Sequence, residues 1–187
     1  MKKVITLILI VLIFSGCSND NQELERMMNF RASMLSGMGS RFEVVITADY
    51  QTELYQFRMD CRSDENGNVS FTVIEPQSIS GISGMIFNEG GKLTYNDDHG
   101  LAFELIADGQ ITPVSAPWLL VKTLRGGNVT ACGMEKDLMK VSIDDSFEED
   151  SLKIDVWFTN DDIPTYAEIL WANRRILSLE VTNFEIL

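Results

Sequence analysis

Three adjacent acid pairs, Asp97-Asp98, Asp144-Asp145 and Asp161-Asp162, and a lone histidine, His99, are the residues here most able to do chemistry. Two nearby carboxylates could share the general acid and base roles of glycoside hydrolysis, or bind Ca²⁺ through oxygen. Each pair sits in a polar stretch that reads as a turn, where Asp is favoured because its carboxylate accepts local backbone N–H groups. His99 follows the first pair in Asn96-Asp97-Asp98-His99-Gly100, and any nucleophile–histidine pairing would have to use it. G-x-S-x-G, H-E-x-x-H and phosphate-cradling glycine motifs are all missing from the sequence. The expectation is solvated turns, with no catalytic residue, no cofactor and no enzyme activity.

Asp64, Asn66, Asn68, Ser70, Thr72 and Glu75 fall on positions 1, 3, 5, 7, 9 and 12 of an EF-hand loop. Val69, however, stands where the sharp bend of that loop needs Gly, and alternation from Val69 onward says strand. An ordinary hairpin is expected there, with Asn66-Gly67 in its turn, and no metal site.

The elements that would position these residues follow from periodicity. From Glu23 the apolar residues Leu24, Met27, Met28, Met34, Leu35 and Met38 repeat at helical spacing until Gly37 and Gly39 stop them. After Ser40 the period becomes two. Strands are expected near residues 41–50, 55–61, 69–73, 84–87, 92–95 and 101–106. Pro113 to Leu124 reads as a second helix, with Pro117 near its first turn and Gly126-Gly127 closing it. Five more strands follow, near 129–134, 138–143, 152–158, 165–171 and 174–184. Runs of strands with turn-length gaps predict an antiparallel sheet, curved or closed, in one domain spanning residues 23–187.

Composition narrows the function classes. Fifteen Lys and Arg oppose 28 Asp and Glu, for a formal charge of −13. Such a surface repels phosphate backbones, and no basic stripe in the sequence offsets it, so a nucleic-acid partner is not expected.

The N-terminus pairs Lys2 and Lys3 with an apolar run from Val4 to Phe14, too short for a membrane span of roughly 20 residues and suited to a signal peptide. The run ends in Ser15-Gly16-Cys17, which resembles the lipobox of bacterial lipoproteins, with Phe14 where that family usually has Leu. The resemblance implies a signal peptide over 1–16, diacylation of Cys17 with palmitate-type chains, and a lipidated tether over 17–22. It also implies an extracytoplasmic location on the cell membrane, or on an outer membrane if the organism has one. Removing Lys2 and Lys3 with the leader leaves a charge of −15. In that compartment Cys61 and Cys132 could pair. Both fall in expected strands, where a bridge needs Cα atoms within about 7 Å. A disulfide and two buried free thiols both stay open.

"VIEPQSISGISGMIFNEGGKLTYND" and "IPTYAEILWANRRILSLEVTNFEIL" resemble the LolA/LolB-like family of envelope lipoprotein carriers. The first looks like the family's strand, proline and Gly-rich turn before a second strand, and the second like its closing meander. Arg41 and Arg58 are loose counterparts of an early-strand Arg in that family. Carriers of the LolA type are soluble, whereas this chain resembles the anchored LolB type. The resemblance implies an α+β fold, a strongly curved antiparallel half-barrel of about 11 strands whose concave face is covered by the N-terminal and the inserted helix. It further implies an apolar space for an acyl chain, lipid or lipoprotein acyl group, bound without catalysis. On the residues themselves, Met27, Met28, Leu35, Trp118 and Leu120 on the helices, and Phe42, Val44, Ile46, Phe57 and Phe71 on the strands, are the candidate lining. The alternative is a structural or sensory envelope module whose solid core supports docking of a protein partner of unknown identity.

Overall fold

The computed structural model describes residues 19–49, 54–87, 90–94, 101–103, 112–146, 152–172 and 174–187. Cys17, the leader, Asp97-Asp98 and His99 lie outside these residues. In chain order the elements are helix α1 (Asn19–Ser36) and strands β1 (Gly39–Asp49), β2 (Leu54–Asp64), β3 (Val69–Glu75), β4 (Ser83–Phe87), β5 (Gly90–Thr94) and β6 (Leu101–Phe103). Helix α2 (Ala116–Gly126) comes next, followed by β7 (Asn128–Glu135), β8 (Leu138–Asp144), β9 (Lys153–Phe158), β10 (Pro164–Trp171) and β11 (Arg174–Ile186).

Two boundaries differ from expectation. Helix α1 begins at Asn19, inside the stretch read as a polar tether. Its first turn is polar and carries no apolar period to read. Pro113–Ser115 is a separate 3-10 turn, and the α-helix starts only at Ala116, with Pro117 inside its first turn.

All eleven strands form one antiparallel sheet in the order β6-β5-β4-β3-β2-β1-β11-β10-β9-β8-β7. Every neighbouring pair is consecutive in sequence except β1 and β11, which meet at its centre from Ser40↔Ile186 to Ala48↔Leu177. Along β1, Phe42, Val44, Ile46 and Ala48 face inward and are buried, while Arg41, Glu43, Val45 and Thr47 face out. The same period-two alternation buries Met59, Cys61 and Ser63 on β2, and Val69, Phe71 and Val73 on β3.

Both helices lie on the inward face. α1 packs against β7, α2 and β1, and α2 touches β2, β3 and β8. An 11-residue helix is only about 16 Å long, and it meets both wings because the sheet curls around it. Between β2 and β3, the Asp64 carboxylate accepts from the Asn66 and Asn68 amides, both at 2.9 Å, and from the Asn68 side chain at 2.7 Å. Gly67 sits at φ +82° in that turn. The stretch with calcium-loop spacing is thus a hairpin, and no group of metal-ligating side chains occurs among the described residues.

Candidate functional site: the half-barrel interior and its helix cover

Burial divides the inward face into a sealed centre and an open end. Met27, Val44, Ile46, Met59, Leu120, Leu124, Ile154, Val156 and Phe158 each have 0% of their surface accessible. A side chain with no accessible surface borders no space wide enough for a water molecule, so the centre beneath the helices is packed solid. Phe42 and Phe71 are nearly as enclosed. Aromatic contacts knit the same region. Phe30 meets Phe158 edge-on at 5.1 Å, and Phe42 stacks on Phe184 at 5.5 Å.

The residues expected to line a cavity therefore separate into three groups. Met27, Phe42, Val44, Ile46, Phe71 and Leu120 are packing residues of one continuous core. Met28 and Leu35 sit outside it, 40% and 55% exposed; they occupy the solvent side of α1, and Met27, Phe30 and Met34 form its inward stripe. Phe57 and Trp118 are only partly buried. Phe57 pairs with Ile46 and so faces inward. Its inward neighbour on the strand is Tyr55, paired with Ala48 and 46% exposed. Ile79, Ile82 and Val114 are also partly exposed where they pack on the core. The first residues of β2 thus border a part of the concave face that, among the described residues, the helices leave open.

Three arginines pin the cover. Arg31 of α1 donates to carbonyls at the end of α2, Leu124 at 3.0 Å and Thr123 at 3.3 Å, and to that of Gly127 just beyond it at 2.8 Å. Arg125 of α2 returns the contact, donating to the Met34 carbonyl near the end of α1 at 2.7 Å and to the Glu65 carbonyl in the β2–β3 turn at 2.7 Å. Each guanidinium sits at the C-terminal end of the other helix, where its charge suits the negative dipole end; the Thr123 carbonyl also accepts the Gly127 N–H at 2.8 Å. Burial holds Arg31 below the ordinary arginine value, partly offset by Cys132. Near the other end of α1, Arg26 donates to Asp162 Oδ1 at 2.8 Å and to the Thr159 and Asn160 carbonyls, both at 3.2 Å. Arginines in polar stretches of sequence look solvated, so no signal in the chain marks these pins.

The remaining candidates have structural tasks or no partner. Asp162 receives Arg26, and Asp145 accepts from the Leu152 amide at 2.8 Å with Lys122 at 3.8 Å. Cys61 and Cys132 are both free. Cys61 faces inward on β2 and Cys132 lies on edge strand β7, with β1, β11, β10, β9 and β8 between their strands, so the disulfide left open by the sequence is not formed. Arg41 and Arg58 face outward, Arg41 beside Asp60 at 3.7 Å and Arg58 beside Glu75 at 3.8 Å, and neither reaches the interior. No helix among the described residues is long and apolar enough to cross a membrane.

No protein-family model matches the chain, and no curated protein matches it in sequence. Solved structures do. A DUF1329 family protein from Desulfovibrio piger aligns over 90% of this chain and 94% of its own, with a TM-score of 0.51 at 6% identity. A putative outer membrane lipoprotein-sorting protein domain from Vibrio parahaemolyticus covers 90% of this chain and 93% of its own, with a TM-score of 0.49 at 8% identity. A LolA superfamily protein from Nitrosomonas europaea covers 91% and 94%, with a TM-score of 0.46 at 11% identity. At such identities a likeness speaks for architecture alone, and the D. piger structure carries it. The chain shares the fold of that DUF1329 family protein, an open antiparallel half-barrel covered on its concave face by two helices, the architecture that the sequence resemblance implies.

Proposed function

We propose that this protein is an envelope lipoprotein, held to a membrane by acyl chains on Cys17, whose half-barrel binds an acyl chain or similar apolar group without catalysing a reaction. The observation that supports ligand binding is the open end of the concave face. There Tyr55 and Phe57 leave inward-facing aromatic surface accessible beside the packed core. Apolar pockets with a few polar edges are the usual form of small-ligand sites. The ligand enters at that end and does not reach the packed centre unless the helices lift. Two acyl chains on Cys17 would anchor the chain firmly where one would not.

The test is native mass spectrometry of the full-length chain in detergent, coupled to displacement of a fluorescent fatty acid. A displaceable probe whose binding weakens in Phe57→Glu supports the reading. No co-purified lipid and no displaceable probe would remove it. The sealed centre would then favour a second reading, a docking module whose rigid core presents its surface to a protein partner. Metabolic labelling with a palmitate analogue tests the anchor separately, and Cys17→Ser should abolish incorporation.

A further inference from the structure

The outward face of β1–β5 carries a groove of about 590 Å³ on the side of the sheet away from the helices. Arg41, Asp60, Arg62, Ser70, Thr72, Ser83, Met85 and Lys92 contribute outward side chains to it. Register fixes their arrangement. Arg41 lies directly opposite Arg62, Arg62 opposite Ser70, Ser70 opposite Met85, and Met85 opposite Lys92, so these residues form one row across five strands. Asp60, Thr72 and Ser83 form the adjoining row.

Two features of this groove are anomalous for the molecule. The chain as a whole carries −13, yet three cations against one carboxylate give the groove a net charge of +2. Like charges directly opposite on neighbouring strands also destabilise a sheet, and Arg41 faces Arg62 in that position. On its other side Arg41 lies opposite Glu185 of β11, with no ion pair between them, and Asp60 does little to relieve the two arginines. Its contact with Arg41 is 3.7 Å long between side chains 62% and 44% exposed, a pair worth little in water. Arg62 and Lys92 make no ion pair among the described residues.

An arrangement that costs stability when empty is offset when a dianion sits between the charges. Guanidinium forks match the oxygens of phosphate, and lysine adds a point charge. Hydroxyls at Ser70, Thr72 and Ser83 border the same space. We propose that this groove binds a phosphate group, presented either by a small phosphate ester or by a phospholipid headgroup. The site lies on the face opposite the apolar interior, and its fate is independent of whether an acyl chain binds there.

Isothermal titration of the full-length chain in neutral detergent tests it with three probes: glycerol, glycerol 3-phosphate and dihexanoylphosphatidic acid. Glycerol should not bind. Binding of both phosphates assigns the site to the phosphate group itself, and binding of the phosphatidic acid alone assigns it to a headgroup. In either case affinity should fall with added salt and drop about tenfold or more in Arg62→Gln. Lys136→Gln, in the distant β7–β8 turn, should bind as the parent does. Without ligand, Arg62→Gln should melt at or above the parent temperature because the facing charges are relieved. No binding of either phosphate, undiminished binding in Arg62→Gln, or an equal loss in Lys136→Gln would overturn the proposal.

Discussion

Cys61 shows what burial does to a reactive group. Enclosure, with Asp60 adding to it, pushes its thiol far above the ordinary cysteine value. The nucleophilic thiolate is therefore suppressed. Cys132, half-buried on the edge strand, is raised less completely: burial and Glu23 push it up and Arg31 pulls it back. A maleimide added to the folded protein should modify Cys132 while Cys61 reacts only after unfolding, as peptide mapping would show. Lys140 shows the converse effect. Its ammonium lies 2.8 Å from Asp155 and 4.6 Å from the centre of the Trp157 ring. The Asp155 hydrogen bond holds its pKa above the ordinary 10.5, against the opposing effect of burial. A raised lysine stabilises the fold fully below its unfolded value and loses that contribution as pH rises through the folded one. Thermal midpoints of the parent should fall as pH climbs above 10.5. Lys140→Met should lack that component of the fall and cost about 2 kcal/mol near neutrality, because Asp155 is left buried with only Ser142.

Among the elements, the helices depend on one another through side chains far apart in sequence. Arg31→Met and Arg125→Met should each destabilise the protein by about 1–2 kcal/mol, since each strips hydrogen bonds from carbonyls at a helix end. The double variant should lose less than the sum if the two pins hold the same contact, and chemical denaturation of the set would measure this. Strand count and order were largely legible in the sequence: six strands, a helix and five strands follow from alternation and turn residues, because each strand has one buried face. The start of α1 was not, because Asn19–Gln22 offers no apolar stripe. Nor were the pins, since an arginine whose acceptors are backbone carbonyls some ninety residues away leaves no mark on local pattern.

For the molecule as a whole, the question is whether its apolar interior is filled or hollow. Sequence pattern cannot separate these, because Val44 or Leu120 would face inward in both. Packing does separate them. Leu120→Ala should cost about 3 kcal/mol, the price of a cavity in a close-packed core, and a calorimetric midpoint would register it. A loss well under 1 kcal/mol would indicate that Leu120 already borders empty space. Phe57→Ala, at the open end, should be milder because Phe57 is already partly exposed. Charge also divides the molecule, with the strongly acidic total concealing the cationic row on β1, β2 and β5. Composition averages over the surface, and only strand register shows that Arg41, Arg62 and Lys92 share a face.

The pairing of β1 with β11 at the centre of the sheet bears on how the chain is made. A polypeptide emerging from a ribosome or translocon delivers the first six strands early and the five after α2 late. The two wings can form hairpins as they appear, but nothing joins them through the sheet until β11 arrives. Closure of the sheet thus waits for β11, and the high sequence separation of the β1–β11 pairing makes that closure slow. Loss of β11 would leave two unjoined wings with newly exposed edges, a species prone to aggregate and an inviting substrate for quality-control proteases.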